Sequence, residues 1–489
     1  MGLRVSGLRE DAGSDHRGKL RAMPTPDRAE GQVGAPSQPG REFGSGAFLA
    51  SLALAGSFAA LGLNSISISR IEGADGAGLI ALSTQFVFIA TFVAGGGLRT
   101  SVTYRVGGSL WSPRSAIHGA LTAVVCLGVI GAALGMGTYA LLRHSALEDF
   151  NLGMAASLMA ALPFALAWWI LPAVPLAKEK YETYAVLTVA GPICVLLVCP
   201  SLALVAGETG AVIGFAIGWA LGGTITTLWS LAYARRPEAQ VGPEHSVREA
   251  GSFGARAWVN DLFQLINVRP DLFILSAYYG VSDTGVYAVT VSITSLVWIV
   301  SQPLASVVLP RNAMVTAAAD PGLTPVIPPT GQGAAVRHSV LISAAASLAV
   351  IPILAIAPLV WGPDFDQTLK LGLILLPGVA MLGVGRVMVA AFTGEGAATD
   401  ALLVGVVSFP LTFVAFLLVI PDHGSTGAAI VSCCSYVVAT LLATYLFLRE
   451  PHHSVRTALV PRREDLRDYV RLARRGLSIG RARFASERR

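Results

Sequence analysis

Polar and charged side chains are rare in the long apolar stretches of this chain, and where they occur they are grouped. Residues 252–273 carry Arg256, Asn260, Gln264, Asn267 and Asp271. At about 100° per residue, these five fall within roughly 80° of one another on a helix. Lipid cannot satisfy such a stripe, so it either lines a wet cavity or packs against another polar helix. Asp261 and Arg269 of the same stretch fall off the stripe, and Pro270 can kink the helix and re-aim Arg269 and Asp271. Arg386 stands alone in a second apolar stretch, within Gly383-Val-Gly-Arg386, and Arg99 closes a third. An ionised side chain near mid-bilayer costs about 2.5–3.5 kcal/mol on insertion scales, so it is usually paired and turned toward a cavity. The chemistry offered is therefore ligand binding. The candidate substrate-binding residues are Arg256, Asn260, Gln264, Asn267, Arg269, Asp271, Arg386 and Arg99. Asp271 is either a proton or sodium site or the partner of Arg269 or Arg386 in a salt bridge. Arg99 either receives an anionic head group or anchors its helix. Trp168 and Trp169 either stack on sugar rings or pack.

Other chemistries lack their residues. There is no G-x-x-x-x-G-K loop to hold nucleotide phosphates, so this chain is not expected to hydrolyse ATP. No Ser/His/Asp arrangement, paired catalytic carboxylates or zinc spacing is present. The expectation is no catalytic residue, no metal, no cofactor beyond a coupling H+ or Na+, and no nucleic-acid partner. The five cysteines (Cys126, Cys194, Cys199, Cys433 and Cys434) lie in apolar runs and read as small buried hydrophobes.

The elements that must position these groups follow from composition. Of 489 residues only 13% are charged and 53% are apolar, and mean hydropathy is +0.62. A soluble protein of this size needs more charge to cover its surface. The net charge is +5, with 31 Arg against 4 Lys, which matches genomic G+C bias. Twelve apolar runs lie near 46–69, 77–98, 116–142, 151–177, 185–206, 211–233, 253–279, 284–309, 338–361, 369–393, 401–421 and 424–448. Each suits a bilayer crossing of roughly 20 residues. The runs are continuous rather than alternating, which predicts helices and not a barrel. The loops on the side of the tails hold Arg105, Arg114, Lys178, Lys180, Arg235, Arg236, Arg248, Arg311 and Arg337, against Arg70, Arg143 and Lys370 opposite. By the positive-inside bias both tails are expected in the cytoplasm. Residues 1–42 read as a disordered tail, and 310–337 as a Pro-rich connection. Residues 462–484 read as a basic amphipathic helix on the membrane surface.

An internal repeat organises the runs. Gly73-Ala-Asp-Gly-Ala-Gly78-Leu-Ile-Ala81 resembles Gly280-Val-Ser-Asp-Thr-Gly285-Val-Tyr-Ala288, 207 residues later. The same offset lays the first run on the seventh, and Asn64 on Asp271. The prediction is an all-α membrane protein of two pseudo-symmetric six-helix lobes, 43–235 and 251–449. A linker at 236–250 joins them, a basic tail at 450–489 follows, and a cavity lies between the lobes. The paired glycines are expected to supply positive φ in turns of five or six residues.

The repeated stretches also carry a family resemblance. Arg70-Ile-Glu-Gly-Ala-Asp-Gly-Ala-Gly-Leu-Ile-Ala-Leu with Gly95-Gly-Gly-Leu-Arg99, and Arg269-Pro-Asp-Leu-Phe-Ile-Leu with Gly285-Val-Tyr-Ala-Val through Val308-Leu-Pro-Arg311, resemble the polysaccharide and O-antigen flippases. These form the oligosaccharidyl-lipid branch of the multidrug/oligosaccharidyl-lipid/polysaccharide exporter superfamily. The resemblance implies a central cationic cavity that takes a polyprenyl-pyrophosphate-linked oligosaccharide from the inner leaflet and releases it outward by alternating access. It also implies membrane lipids as surroundings, and glycosyltransferases or a polymerase of the same pathway as partners. Arginine suits pyrophosphate because it stays charged and binds oxygens bidentately. A cation-coupled drug antiporter, a lipid II flippase and a non-transporting scaffold are the alternatives. Lipid II flippases usually have fourteen spans, and drug antiporters usually have acidic cavities.

Overall fold

The computed structural model describes residues 39–95, 97–241, 243, 270–298, 330–394, 398–449, 459–460 and 462. The predicted stripe upstream of Pro270, most of the linker and the amphipathic segment lie outside them. The described residues are helical, with no strand. In chain order the helices are α1 (Pro39–Gly95), α2 (Leu98–Gly107), α3 (Pro113–Leu142), α4 (Leu152–Ile170), α5 (Ala173–Ala177), α6 (Tyr181–Ala234), α7 (Pro270–Thr294), α8 (Thr330–Ala355), α9 (Ala357–Trp361), α10 (Thr368–Gly394) and α11 (Ala398–Arg449). Among the described residues, seven helical segments are long and apolar enough to cross a membrane, as expected of a multi-pass membrane protein.

Where they are described, the apolar runs match these helices, but their ends differ. Residues 39–42 are already helical, and α8 starts at Thr330, so Arg337 lies within a helix and is buried rather than in a loop. Four helices contain a reversal where loops were expected. α1 departs from helical geometry only at Gly73 (φ 69°, ψ −156°), and α7 only at Gly280 (φ 78°, ψ −177°). α11 does so at Gly424 (φ 55°), and α6 at Ala206 and Gly207 (φ 61°). The first two glycines sit in a region of φ/ψ space that only glycine occupies without strain. Past the turn in α6 the chain runs back on itself. A Cβ on Gly218 would approach Val195, and one on Gly222 would approach Gly191. The paired turns thus take one or two residues, not five or six, because glycine reverses the chain without a loop.

Gly78 and Gly285 are helical and do not turn the chain. Their lack of a side chain serves close approach instead. A Cβ on Gly78 would lie 1.9 Å from the Val281 carbonyl oxygen, and one on Gly285 would lie 2.1 Å from the Ala74 carbonyl oxygen. Ala74 and Val281 are themselves 207 residues apart. Each glycine therefore faces the repeat equivalent of the residue its counterpart faces, as a twofold-related contact requires.

Further contacts between the two repeats gather at the same end, away from the tails. The Arg70 Nε donates to the Val360 carbonyl at 2.8 Å, and its Nη2 donates to the Leu359 carbonyl. Trp361 Nε1 donates to Ser65 Oγ at 3.3 Å, and Ser276 Oγ donates to the Ala146 carbonyl at 2.9 Å. One apolar core runs through both repeats here, from Ile68 and Phe86 to Tyr287 and Phe416. Toward the tails the core divides. Val102, Val106, Trp111 and Tyr233 of the first repeat form one cluster with Ala239 of the linker. Val336, Val387, Met388, Ala443 and Phe447 form another, all from the second. The first cluster is braced by Lys180, whose Nζ lies 2.9 Å from Glu238 Oε2. That pairing raises the lysine pKa and lowers that of the carboxyl.

Candidate functional site

Of the eight candidate binding residues, Arg256, Asn260, Gln264, Asn267 and Arg269 lie outside the described residues. Arg99, Arg386 and Asp271 are described.

Arg99 follows Gly97, whose left-handed backbone (φ 70°) separates α2 from α1. It is half-buried. Its Nη1 donates to the Trp169 carbonyl at 2.9 Å and its Nη2 to the Tyr184 hydroxyl at 3.3 Å. The guanidinium lies over the Trp169 ring, 4.2 Å from its centroid. Trp169 in turn meets Phe92, centroid to centroid, at 5.1 Å. Three short anchors thus fix the cation where the break in helical backbone frees it from α1. A stacked cation of this kind contributes about 0.5–2 kcal/mol. Guanidinium has five N–H donors, more than the two carbonyl and hydroxyl acceptors use.

Arg386 shows the same pairing in the second repeat. It is half-buried on α10, with its guanidinium 4.2 Å from the centroid of the Trp298 ring. Trp298 meets Tyr436 edge-on at 6.3 Å. The preceding Gly385 lets α11 approach, since a Cβ there would lie 3.0 Å from Thr440 Oγ1. Val384, Val387 and Met388 beside Arg386 belong to the tail-side cluster of the second repeat. Each repeat therefore holds an arginine stacked on a tryptophan, and the first holds another nearer the tails, Arg105 on Trp111 at 4.9 Å. Trp298 and the Arg–Trp stacks carried no sequence signal, because their partners come from different helices. Trp169 is the stacking surface for Arg99, whereas Trp168 packs: its Nε1 donates to the Leu187 carbonyl at 3.1 Å and its ring lies 4.6 Å from Trp219.

Asp271 has a different setting. It is 2% exposed. Tyr287 donates to its Oδ2 at 2.8 Å, and the Tyr287 oxygen lies 3.0 Å from Ser432 Oγ. The backbone N–H of Leu272 reaches Oδ1 at 3.0 Å. The chain Asp271–Tyr287–Ser432 joins both legs of α7 to α11. A buried carboxylate held by a phenol is a place where a proton or a small cation can be exchanged. The repeat counterpart Asn64 is equally buried but neutral. Outside the membrane-spanning segments, at the end opposite the tails, Asp149 has a raised pKa. Burial is the main cause, followed by repulsion from Glu148 and Asp75.

No protein-family model matches the sequence, and no curated protein matches it. Solved structures do share its fold. An inward-facing multidrug resistance MATE family transporter of the MOP superfamily aligns with a TM-score of 0.62 at 15% identity. That alignment covers 80% of this chain and 94% of the transporter. The lipid II flippase MurJ, in an inward closed conformation, aligns with a TM-score of 0.63 at 12% identity, covering 82% and 87%. An outward-facing MATE structure aligns at 0.59 and 16% identity, covering 85% and 96%. These neighbours are transporters, and the fold of this chain is theirs.

Proposed function

We propose that this chain is a flippase that moves a polyprenyl-pyrophosphate-linked oligosaccharide across the cell membrane, from inner to outer leaflet, for cell-surface polysaccharide assembly. The observation that carries the reading is the pair of stacked arginines, Arg99 on Trp169 and Arg386 on Trp298, one in each repeat. Both lie toward the end where the apolar core divides. Guanidinium suits a pyrophosphate because it stays charged and binds oxygens bidentately, and an aromatic ring fixes each of these two in place. Arg256 and Arg269, with the amides Asn260, Gln264 and Asn267, complete the chamber in this reading and meet the sugar hydroxyls.

The reading includes two six-helix lobes and twelve spans. The glycine turns at 73, 207, 280 and 424 and the twofold contact of Gly78 and Gly285 support it. Both tails are cytoplasmic by the distribution of basic residues, so the divided end opens inward. Asp271 is the coupling site for H+ or Na+, and enzymes of the same pathway supply the substrate. A drug antiporter shares this fold, but paired arginines disfavour a cationic cargo.

The test is reconstitution in vesicles with a fluorescent lipid-linked oligosaccharide and a membrane-impermeant quencher. Flipping by the wild type should fall at least tenfold in Arg386→Ala and Arg269→Ala at unchanged insertion. Cation-driven drug efflux without lipid flipping would replace this reading with the antiporter.

A further inference from the structure

Arg99 and Tyr184 meet with hydrogen-bonding capacity to spare. Arg99 donates from Nη1 to the Trp169 carbonyl and from Nη2 to the Tyr184 hydroxyl, which engages two of the five N–H donors of a guanidinium. No carboxylate among the described residues pairs with it. Trp169 covers one face of the guanidinium plane and leaves its N–H edge open. The bond to Tyr184 is 3.3 Å, longer than the commonest N–H···O separation of about 2.9–3.0 Å.

The direction of that bond fixes the chemistry of Tyr184. Guanidinium has no acceptor, so the phenol oxygen is the acceptor and its proton points elsewhere. Among the described residues nothing accepts that proton. Both side chains are half-buried. An oxyanion beside them takes N–H bonds from Arg99 and an O–H bond from Tyr184.

Depth indicates which oxyanion. Tyr184 lies three residues into α6, about 4.5 Å along the axis, just past Lys178 and Lys180. Arg99 lies four residues beyond the apolar segment that ends at Gly95, and Trp169 is one residue from the end of α4. All three stand where apolar segments end on the side of the tails. That is the level of inner-leaflet head groups, where the anions are lipid phosphates. The second repeat has no copy of this pair: the first leg of α11, residues 398–423, contains no tyrosine.

We infer that Tyr184 is a substrate-binding residue, donating its phenolic proton to a phosphate oxygen of the lipid diphosphate while Arg99 grips its neighbours. The assignment rests on the flippase reading and adds to it a second donor, in the first repeat and at the depth where the lipid is met.

The test is binding of farnesyl diphosphate to the full-length protein in phosphatidylcholine nanodiscs, followed by calorimetry. Tyr184→Phe should weaken binding about ten- to a hundredfold, the worth of one hydrogen bond to a charged group. Tyr278→Phe, which removes an exposed phenol at the opposite end, should leave it unchanged. Tyr184→Phe also removes an acceptor from Arg99, so a second variant separates the roles. A fluorine ortho to the hydroxyl makes a phenol a stronger donor and a weaker acceptor. Replacement of Tyr184 by ortho-fluorotyrosine should therefore tighten binding at slightly acidic pH, where the phenol stays protonated. Weaker or unchanged binding would show that Tyr184 only props Arg99, and would overturn the inference. Equal displacement of the probe by inorganic pyrophosphate or by a short-chain phosphatidylglycerol would also overturn it, by assigning the site to a free anion or to any phospholipid. Binding needs no transport. Tyr184-dependent binding without flipping would defeat the flippase reading alone. Flipping whose half-saturating lipid concentration is unmoved by Tyr184→Phe would defeat only this inference.

Discussion

The contact of Gly78 with Val281, and of Gly285 with Ala74, makes a quantitative prediction about conformational equilibrium. An alanine at position 78 would place a Cβ 1.9 Å from the Val281 carbonyl oxygen, and one at 285 would place it 2.1 Å from that of Ala74. An unstrained C···O approach is about 3.3 Å or more, so the two helices must separate by more than an ångström. Overpacking of this kind costs about 1–3 kcal/mol. The contact lies one to two turns from the glycine reversals, at the end where the repeats are joined. The cost therefore falls on the conformer closed at that end. If the open conformer lacks the contact, the equilibrium shifts by about 5–150-fold toward it. Spin labels at His144→Cys and Gln367→Cys, both exposed at that end, would report the shift in a cysteine-free background. Gly78→Ala and Gly285→Ala should each enlarge the long-distance population, and the pair together more so. Gly62→Ala is the control, since a Cβ there meets nothing within 4 Å. Distance distributions for Gly78→Ala that match those for Gly62→Ala, at equal thermal stability, would refute the reasoning.

Three other perturbations test separate parts of the structure. Gly280→Ala forces an L residue to φ 78°, ψ −177°, which should cost about 1–3 kcal/mol and lower the melting temperature in detergent. The same change at Gly372, which is helical, should act through packing against Leu354 alone. Tyr287→Phe removes the donor to Asp271 Oδ2 and should cost about 1.5–3 kcal/mol, read by chemical denaturation. Any H+- or Na+-dependent step should also change its ion dependence, which a purely structural role for Tyr287 would not produce. The raised pKa of Asp149 means that the folded state binds this proton more tightly than the unfolded chain does. The carboxylate therefore weakens the fold above its folded pKa, and the penalty fades as pH falls below the ordinary carboxylate value of about 4. Asp149→Asn should raise stability at neutral pH, by less than about 1 kcal/mol for so exposed a group, and the gain should shrink on acidification.

The helical fold was legible because hydrophobicity in a membrane is a one-dimensional signal: runs such as 116–142 are written contiguously and appear as α3 almost unchanged. The repeat was legible for a similar reason, but its glycines divided into two roles that sequence does not separate. Gly73 and Gly280 turn the chain, while Gly78 and Gly285 let helices from the two repeats touch. Both roles need the missing Cβ, and only the backbone shows which is used. At the candidate site, Arg99, Arg386 and Asp271 stood out because each is costly in lipid. Their partners did not. Trp298 is 88 residues from Arg386, and Ser432 is 145 from Tyr287, so no local spacing connects them. By sequence Arg70 is a loop residue, and its reach to the carbonyls of Val360 and Leu359 depends on how the repeats meet.

The placement of the turns bears on how so apolar a molecule would move as two parts under the proposed alternating access. In each repeat the first and third reversals at the end away from the tails are made by glycine within a continuous helix, at 73 and 207 and again at 280 and 424. The middle reversal is longer in both, between Leu142 and Leu152 and between Ala355 and Thr368. The second glycines are 217 residues apart rather than 207, so the ten extra residues fall between Gly285 and Gly424, a stretch that includes the Pro-rich connection at 310–337. A hairpin without a loop has few internal degrees of freedom, so its two legs move together. Compliance is then left to the longer connections and to the seam. That seam combines glycine against backbone carbonyls and Arg70 on two more carbonyls with Trp361 on Ser65 and an apolar core that both repeats share. Under the proposed alternating access, the end with the shared core is the one held closed, and the separate tail-side clusters are where the repeats part at less cost.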